Sequence, residues 1–123
     1  EPIFKIETKQ AYNHLELILP NIKMAILDRG DLAAEIGIYN ILLAQENIIA
    51  ACNNFNVNLF IATQILFNMV NHTAPLIPEI LELHRLIRED IAGIQFSDES
   101  SIGRNPNKCV SIFRDLEKLH QNP

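Results

Sequence analysis

Glu117 and His120 stand three positions apart near the end of a 123-residue chain, a spacing that sets two metal ligands on one helical face. Di-iron centres in helical bundles use such a pair twice and add two further helical carboxylates. His14, His72 and His84 have no glutamate three positions before them, and no His-x3-His or Cys-x2-Cys pair is present. Glu117 and His120 therefore read as a solvated helix end, and no metal site is expected.

His84 raises a second chemistry. Histidine phosphotransfer domains are helical bundles that carry a phosphoryl group on an exposed histidine, within a His-x-Leu-Lys-Gly segment that Leu83-His84-Arg85-Leu86-Ile87-Arg88 resembles. Ile87 stands where a lysine would steady the phosphoryl oxygens, no glycine follows, and Arg88 is the nearest substitute cation. Bordering an apolar stripe, His84 reads as a packing residue. Cys109 falls in the opening turns of a helix beside Lys108, where helix N-termini activate thiols, but its spacing to Ile112 and Leu116 puts it on the apolar face. Cys52 is read the same way. Ile102-Gly103-Arg104 has too little glycine for a phosphate loop, and no serine elbow or carboxylate pair on an apolar face is found. Neither catalytic residues nor a cofactor are assigned, and the chain is expected not to be an enzyme.

The elements that would carry these residues read as helices. Thr8 to Arg29 repeats apolar residues at Ala11, Leu15, Ile18, Ile22 and Ile26, with a kink or split at Pro20. Gly30 supplies a left-handed stop and Asp31 an N-cap, so Asp28-Arg29-Gly30-Asp31 reads as a tight turn between helices. Asp31 to Asn53 is apolar on nearly every side, as in a central helix. Asn56 caps a third helix to Asn71, a fourth runs from Leu76 or Pro78 to Ile94, and Asn105-Pro106 opens a fifth. The expected fold is all-α, a compact antiparallel bundle of four to five helices in a single domain over 1–123. Residues 1–7 read as an N-terminal extension and 96–105 as a polar loop.

Composition narrows the function classes. Apolar residues make up 48% and charged residues 20%, which fits a folded chain. A net charge of −5 without a basic stripe argues against a phosphate-binding surface of the kind nucleic acid needs, so nucleic acid is not an expected partner. The window Val57–Val70 is broken by Asn58, Thr63, Gln64 and Asn68 and falls short of a membrane span. A secretory signal pattern is absent, and two cysteines 57 positions apart imply reduced thiols and a cytoplasmic setting. From Gly30 to His84 there is no lysine or arginine, and from Asn47 to Pro78 no charge at all. Such a stretch is too long to be all core, so part of it is expected to meet another protein. On a third helix, Gln64, Asn68 and Asn71 would line one face beside Phe60, Ile61 and Phe67, with Tyr39 contributing. This amide-and-aromatic face is the expected interface, with a homodimer when no partner is bound.

The Asn- and Ile-rich, small, acidic and helical make-up resembles accessory proteins of intracellular bacterial pathogens, among them small helical inhibitors that block effector enzymes. Some of these inhibitors act on ubiquitin-directed deamidase and transglutaminase effectors. The resemblance implies a non-catalytic regulator that occludes a partner enzyme, including in a host cytosol, and it carries no site residues. A secretion chaperone and a histidine phosphotransfer protein are the alternatives.

Overall fold

A computed structural model describes residues 2–62, 65–96 and 106–121. Their contacts divide into two units, residues 1–62 with 91–95 and residues 63–90 with 96–123. The first unit is built on a sheet, which overturns the all-α expectation. Its strands are β1 (Ile3–Ile6), β2 (Met24–Asp28), β3 (Asn58–Ala62) and β4 (Gly93–Gln95), ordered β1-β2-β3-β4 with every neighbouring pair parallel. Strands of a parallel sheet need not alternate polar and apolar residues, because both faces are covered. Runs such as Met24-Ala25-Ile26-Leu27 therefore also satisfy the i, i+3, i+4 spacing of a helix, and length arbitrates.

Strand order decides the architecture. A doubly wound sheet reverses its order at a switch point, whereas here each strand is added beside the last. With right-handed crossovers, sequential addition keeps the connecting helices on one face, the repeat of a closed (β/α) barrel. Register pairs Ile6 with Leu27 and Leu27 with Ile61, and all three are completely buried. Each contributes roughly 1.5–3 kcal/mol by leaving water. The opposite face carries Lys5, Ile26, Phe60 and Gly93 in one row, and there Ile26 and Phe60 are only half-buried.

Local chemistry explains the connections. Thr8 accepts a hydrogen bond from the Ala11 N–H at 3.0 Å and caps α1 (Lys9–Asn13), which is followed by α2 (Leu15–Ile18). Pro20 lies in a 3₁₀ turn, Leu19–Asn21, and ends the helical stretch rather than kinking it. The next helix, α3 (Arg29–Ile36), starts one residue after β2, so Gly30 lies inside it rather than stopping a helix. The expected central helix is broken at Gly37, whose φ of 95° is a left-handed value that glycine adopts without strain. Beyond it α4 (Ile41–Asn54) buries Ala44, Ile48, Ile49 and Cys52 and leaves Leu42 and Leu43 exposed. That burial is one-sided, as for a helix lying on a sheet. Ile3–Ile6, read from sequence as an extension, is β1.

In the second unit α5 (Ile77–Arg88) contacts α6 (Pro106–Gln121), and Leu83, Leu86, Cys109 and Leu116 are buried. Pro106 opens α6 at the position its sequence indicates. The fourth helix was expected to reach Ile94 but ends at Arg88; Asp90, at φ 58°, precedes β4, which takes up Ile94. Residues 97–105 of the expected polar loop lie outside the described residues.

Candidate cation centre

Two strands run into carboxylates. β1 is followed directly by Glu7 and β2 ends on Asp28, and the parallel register that pairs Ile6 with Leu27 brings the two acids level at the C-terminal edge of the sheet. Lys5, two residues before Glu7, projects from the same face. Its Nζ lies 3.3 Å from Oε2 of Glu7 and 3.9 Å from Oδ2 of Asp28. Asp28 is buried, while Glu7 is half-buried and Lys5 exposed.

Asp31 joins them through a helix cap. Asp28 has extended backbone geometry and its Oδ1 accepts a hydrogen bond from the Asp31 N–H at 3.0 Å, satisfying one of the orphan donors at the start of α3. That turn holds the exposed Asp31 over the strand ends. One oxygen from each of Glu7, Asp28 and Asp31 falls within 4.8 Å of the others. Among the described residues this is the cluster suited to a metal. Hard oxygen donors suit magnesium, manganese or calcium rather than zinc or copper. Oxygens around a magnesium ion, each about 2.1 Å from it, lie about 3–4 Å apart, so small rotations of these side chains suffice. The Lys5 ammonium reaches two of the three carboxylates, Glu7 and Asp28. The residues fit.

None of these four was singled out from the sequence as a site residue. Glu7 and Asp28 are far apart along the chain and meet only through strand pairing. A signal was present nonetheless: Ile3-Phe4-Lys5-Ile6-Glu7 and Met24-Ala25-Ile26-Leu27-Asp28 are both short apolar runs ending on an acid, as parallel strands ending at a site would be.

The residues expected to share a helical interface are dispersed. Phe60 and Ile61 occupy β3 on opposite faces, Phe60 half-buried and Ile61 completely buried. Gln64 lies outside the described residues. Phe67, exposed, and Asn68 belong to a 3₁₀ turn, Phe67–Val70, with Asn71 just after it. Asn68 donates its side-chain amide to the Ala74 carbonyl at 2.9 Å. Tyr39 is almost fully exposed, in a 3₁₀ turn between α3 and α4. A strand replaces the expected helix, so the 3.6-residue period that grouped these side chains does not apply to them. His84 on α5 meets His120 on α6 edge-on, with ring centroids 6.5 Å apart. No helix among the described residues is long and apolar enough to cross a membrane.

Comparison with known proteins identifies the family. The family model described as pyruvate kinase, barrel domain, matches residues 2–110. A chloroplastic pyruvate kinase isozyme A of Ricinus communis is 30% identical over 93% of this chain and 20% of its own length. The pyruvate kinase of Methanocaldococcus jannaschii is 30% identical over 97% of the chain and 27% of its own length. Plastidial pyruvate kinase 3 of Arabidopsis thaliana is 34% identical over 93% of the chain and 20% of its own length. The chain thus spans about a fifth to a quarter of the length of these relatives. These matches overturn the resemblance to helical inhibitors of bacterial effectors, and with it the non-catalytic regulator, the chaperone and the phosphotransfer readings. Relatives named as enzymes also remove the expectation that the chain has no part in catalysis.

Proposed function

Because the chain belongs to the pyruvate kinase barrel-domain family, we propose that it is part of a phosphoryl-transfer enzyme acting on pyruvate and supplies its divalent-cation centre. The observation that carries this reading is the convergence of Glu7, Asp28 and Asp31 within 4.8 Å, beside Lys5, at the C-terminal ends of parallel strands. In (β/α) barrels that edge is where active sites lie.

Phosphoryl transfer asks a protein mainly for positioning and for neutralisation of charge spread over the phosphoryl oxygens. Magnesium is ordinarily held by one or two carboxylates together with substrate oxygens. Glu7, at the end of β1, and Asp31, at the start of α3, would fill that role here. A bound divalent cation would act as a Lewis acid toward phosphoryl and carbonyl oxygens. Lys5 offers rotatable N–H donors to an anionic oxygen next to the cation, and strand β1 fixes the base of its side chain. Met24, Ile26 and Phe60, on the sheet face shared with Lys5, suit the interior of a barrel whose remaining strands complete the fold. An intracellular, reducing setting belongs to the same proposal and accords with Cys52 and Cys109 being buried outside any disulfide.

Water-proton relaxation with bound Mn²⁺ tests the proposal. Pyruvate added to the Mn²⁺-loaded chain should lower the relaxation enhancement, because its carboxylate and keto oxygens displace coordinated water. Lys5→Met should weaken that response to pyruvate. A relaxation enhancement that pyruvate leaves unchanged would refute the reading.

A further inference from the structure

Asp28 is the buried member of the centre, and its two oxygens have different partners. Oδ1 accepts the Asp31 N–H at 3.0 Å, and Oδ2 lies 3.9 Å from Lys5 Nζ. The same ammonium lies 3.3 Å from Glu7 Oε2. Lys5 is therefore shared between two carboxylates, one of which is also the cap of the helix that presents Asp31.

We propose that Asp28 is a positioning residue: one oxygen fixes the start of α3, and hence Asp31, while the other draws the Lys5 ammonium away from Glu7. This rests on the divalent-cation reading above. If Asp28 lost its charge, the ammonium would pair with Glu7 alone and compete there with the cation. Asp28 thus acts on the cation through Lys5 and through α3, not by ligating it.

Asparagine separates the two functions, because its side-chain oxygen caps a helix as well as that of aspartate but carries no charge. Asp28→Asn should keep the unfolding midpoint of the parent chain, whereas Asp28→Ala should lower it. Mn²⁺ alone, followed by electron paramagnetic resonance of the 123-residue chain, is the probe. Asp28→Asn should weaken Mn²⁺ binding by about tenfold, within the range for residues behind metal ligands. In a Lys5→Met background the same substitution should change binding by less than about twofold, since the two effects are coupled. An equal loss in both backgrounds would mean that Asp28 acts on the cation without Lys5 and would overturn the proposal.

A second readout is independent of the cation. The Lys5 ammonium, held between its two carboxylates, should give a proton–nitrogen correlation peak that shifts in Asp28→Asn as the pairing passes to Glu7 alone. If the parent chain binds no Mn²⁺, the cation reading fails, and this peak alone decides the role of Asp28. A peak at an unchanged position in Asp28→Asn would refute the Lys5 contact.

Discussion

Gly93 of β4 faces Phe60 of β3 across the ladder, and a Cβ built at residue 93 would sit 3.1 Å from two carbons of the Phe60 ring. The two residues lie in the row that also contains Lys5 and Ile26, two positions below the carboxylate edge. The absence of a side chain at 93 is what lets the ring lie against the sheet there. Gly93→Ala should destabilise the chain by about 1–3 kcal/mol through overpacking, measured by urea unfolding. Phe60→Leu in the same chain should recover part of that loss, because the ring is the group in the way. If both substitutions simply add, the contact has no energetic weight.

Cys52 sits in α4 with no exposed surface, and burial pushes its thiol up from 9.0 to about 11. A pKa raised on folding stabilises the protonated native form at pH values below that of the unfolded thiol. This contribution is lost as pH rises from about 9 to about 11. Cys52→Ala should remove that part of the alkaline loss, at the cost of some packing at every pH. Iodoacetamide should label Cys52 far more slowly in the folded chain at pH 8 than in urea. Equal rates would show that the thiol is not held in the core.

Glu79 serves two backbone donors in the second unit. One oxygen accepts the Leu76 N–H at 2.8 Å and the other the Asn68 N–H at 2.9 Å, tying the start of α5 to the preceding turn. Glu79→Ala should cost about 1–3 kcal/mol by leaving both without this partner. Glu79→Gln, which keeps one acceptor oxygen, should cost less. Amide exchange at Asn68 and Leu76 should quicken in Glu79→Ala; unchanged protection there contradicts the assignment.

Gly37 holds α3 and α4 apart at φ 95°. Gly37→Ala should destabilise the chain by about 1 kcal/mol or more through backbone strain, although a Cβ would meet nothing closer than Asn40 Nδ2 at 3.5 Å. A neutral effect in thermal unfolding would show that the turn relaxes.

Features with local causes could be read from the chain. Thr8 and Pro106 start helices because a cap and a fixed φ act within one turn, and Cys109 is buried where its spacing to Leu116 puts it. The strands were not legible, because Met24–Asp28 and Asn58–Ala62 place apolar residues on the half-buried face as well as on the buried one, and so their sequences lack the polar–apolar alternation that marks a strand with one face in water. Each fits a helical period as well as a sheet. The centre was illegible for a related reason. Asp28 and Asp31 are neighbours in sequence, but Glu7 and Lys5 reach them only through the β1–β2 register, which no short motif encodes. The long uncharged stretch was informative about burial: part of it is β3 and its flanks, where Val57, Leu59, Ile61, Ile65, Leu66 and Met69 are buried.

Titration of Mn²⁺ into the 123-residue chain, with free ion read by electron paramagnetic resonance, tests the cation centre most directly. One saturable site is predicted, weakened about tenfold or more in both Glu7→Gln and Asp31→Asn. Binding of equal strength in the parent chain and both variants would contradict it.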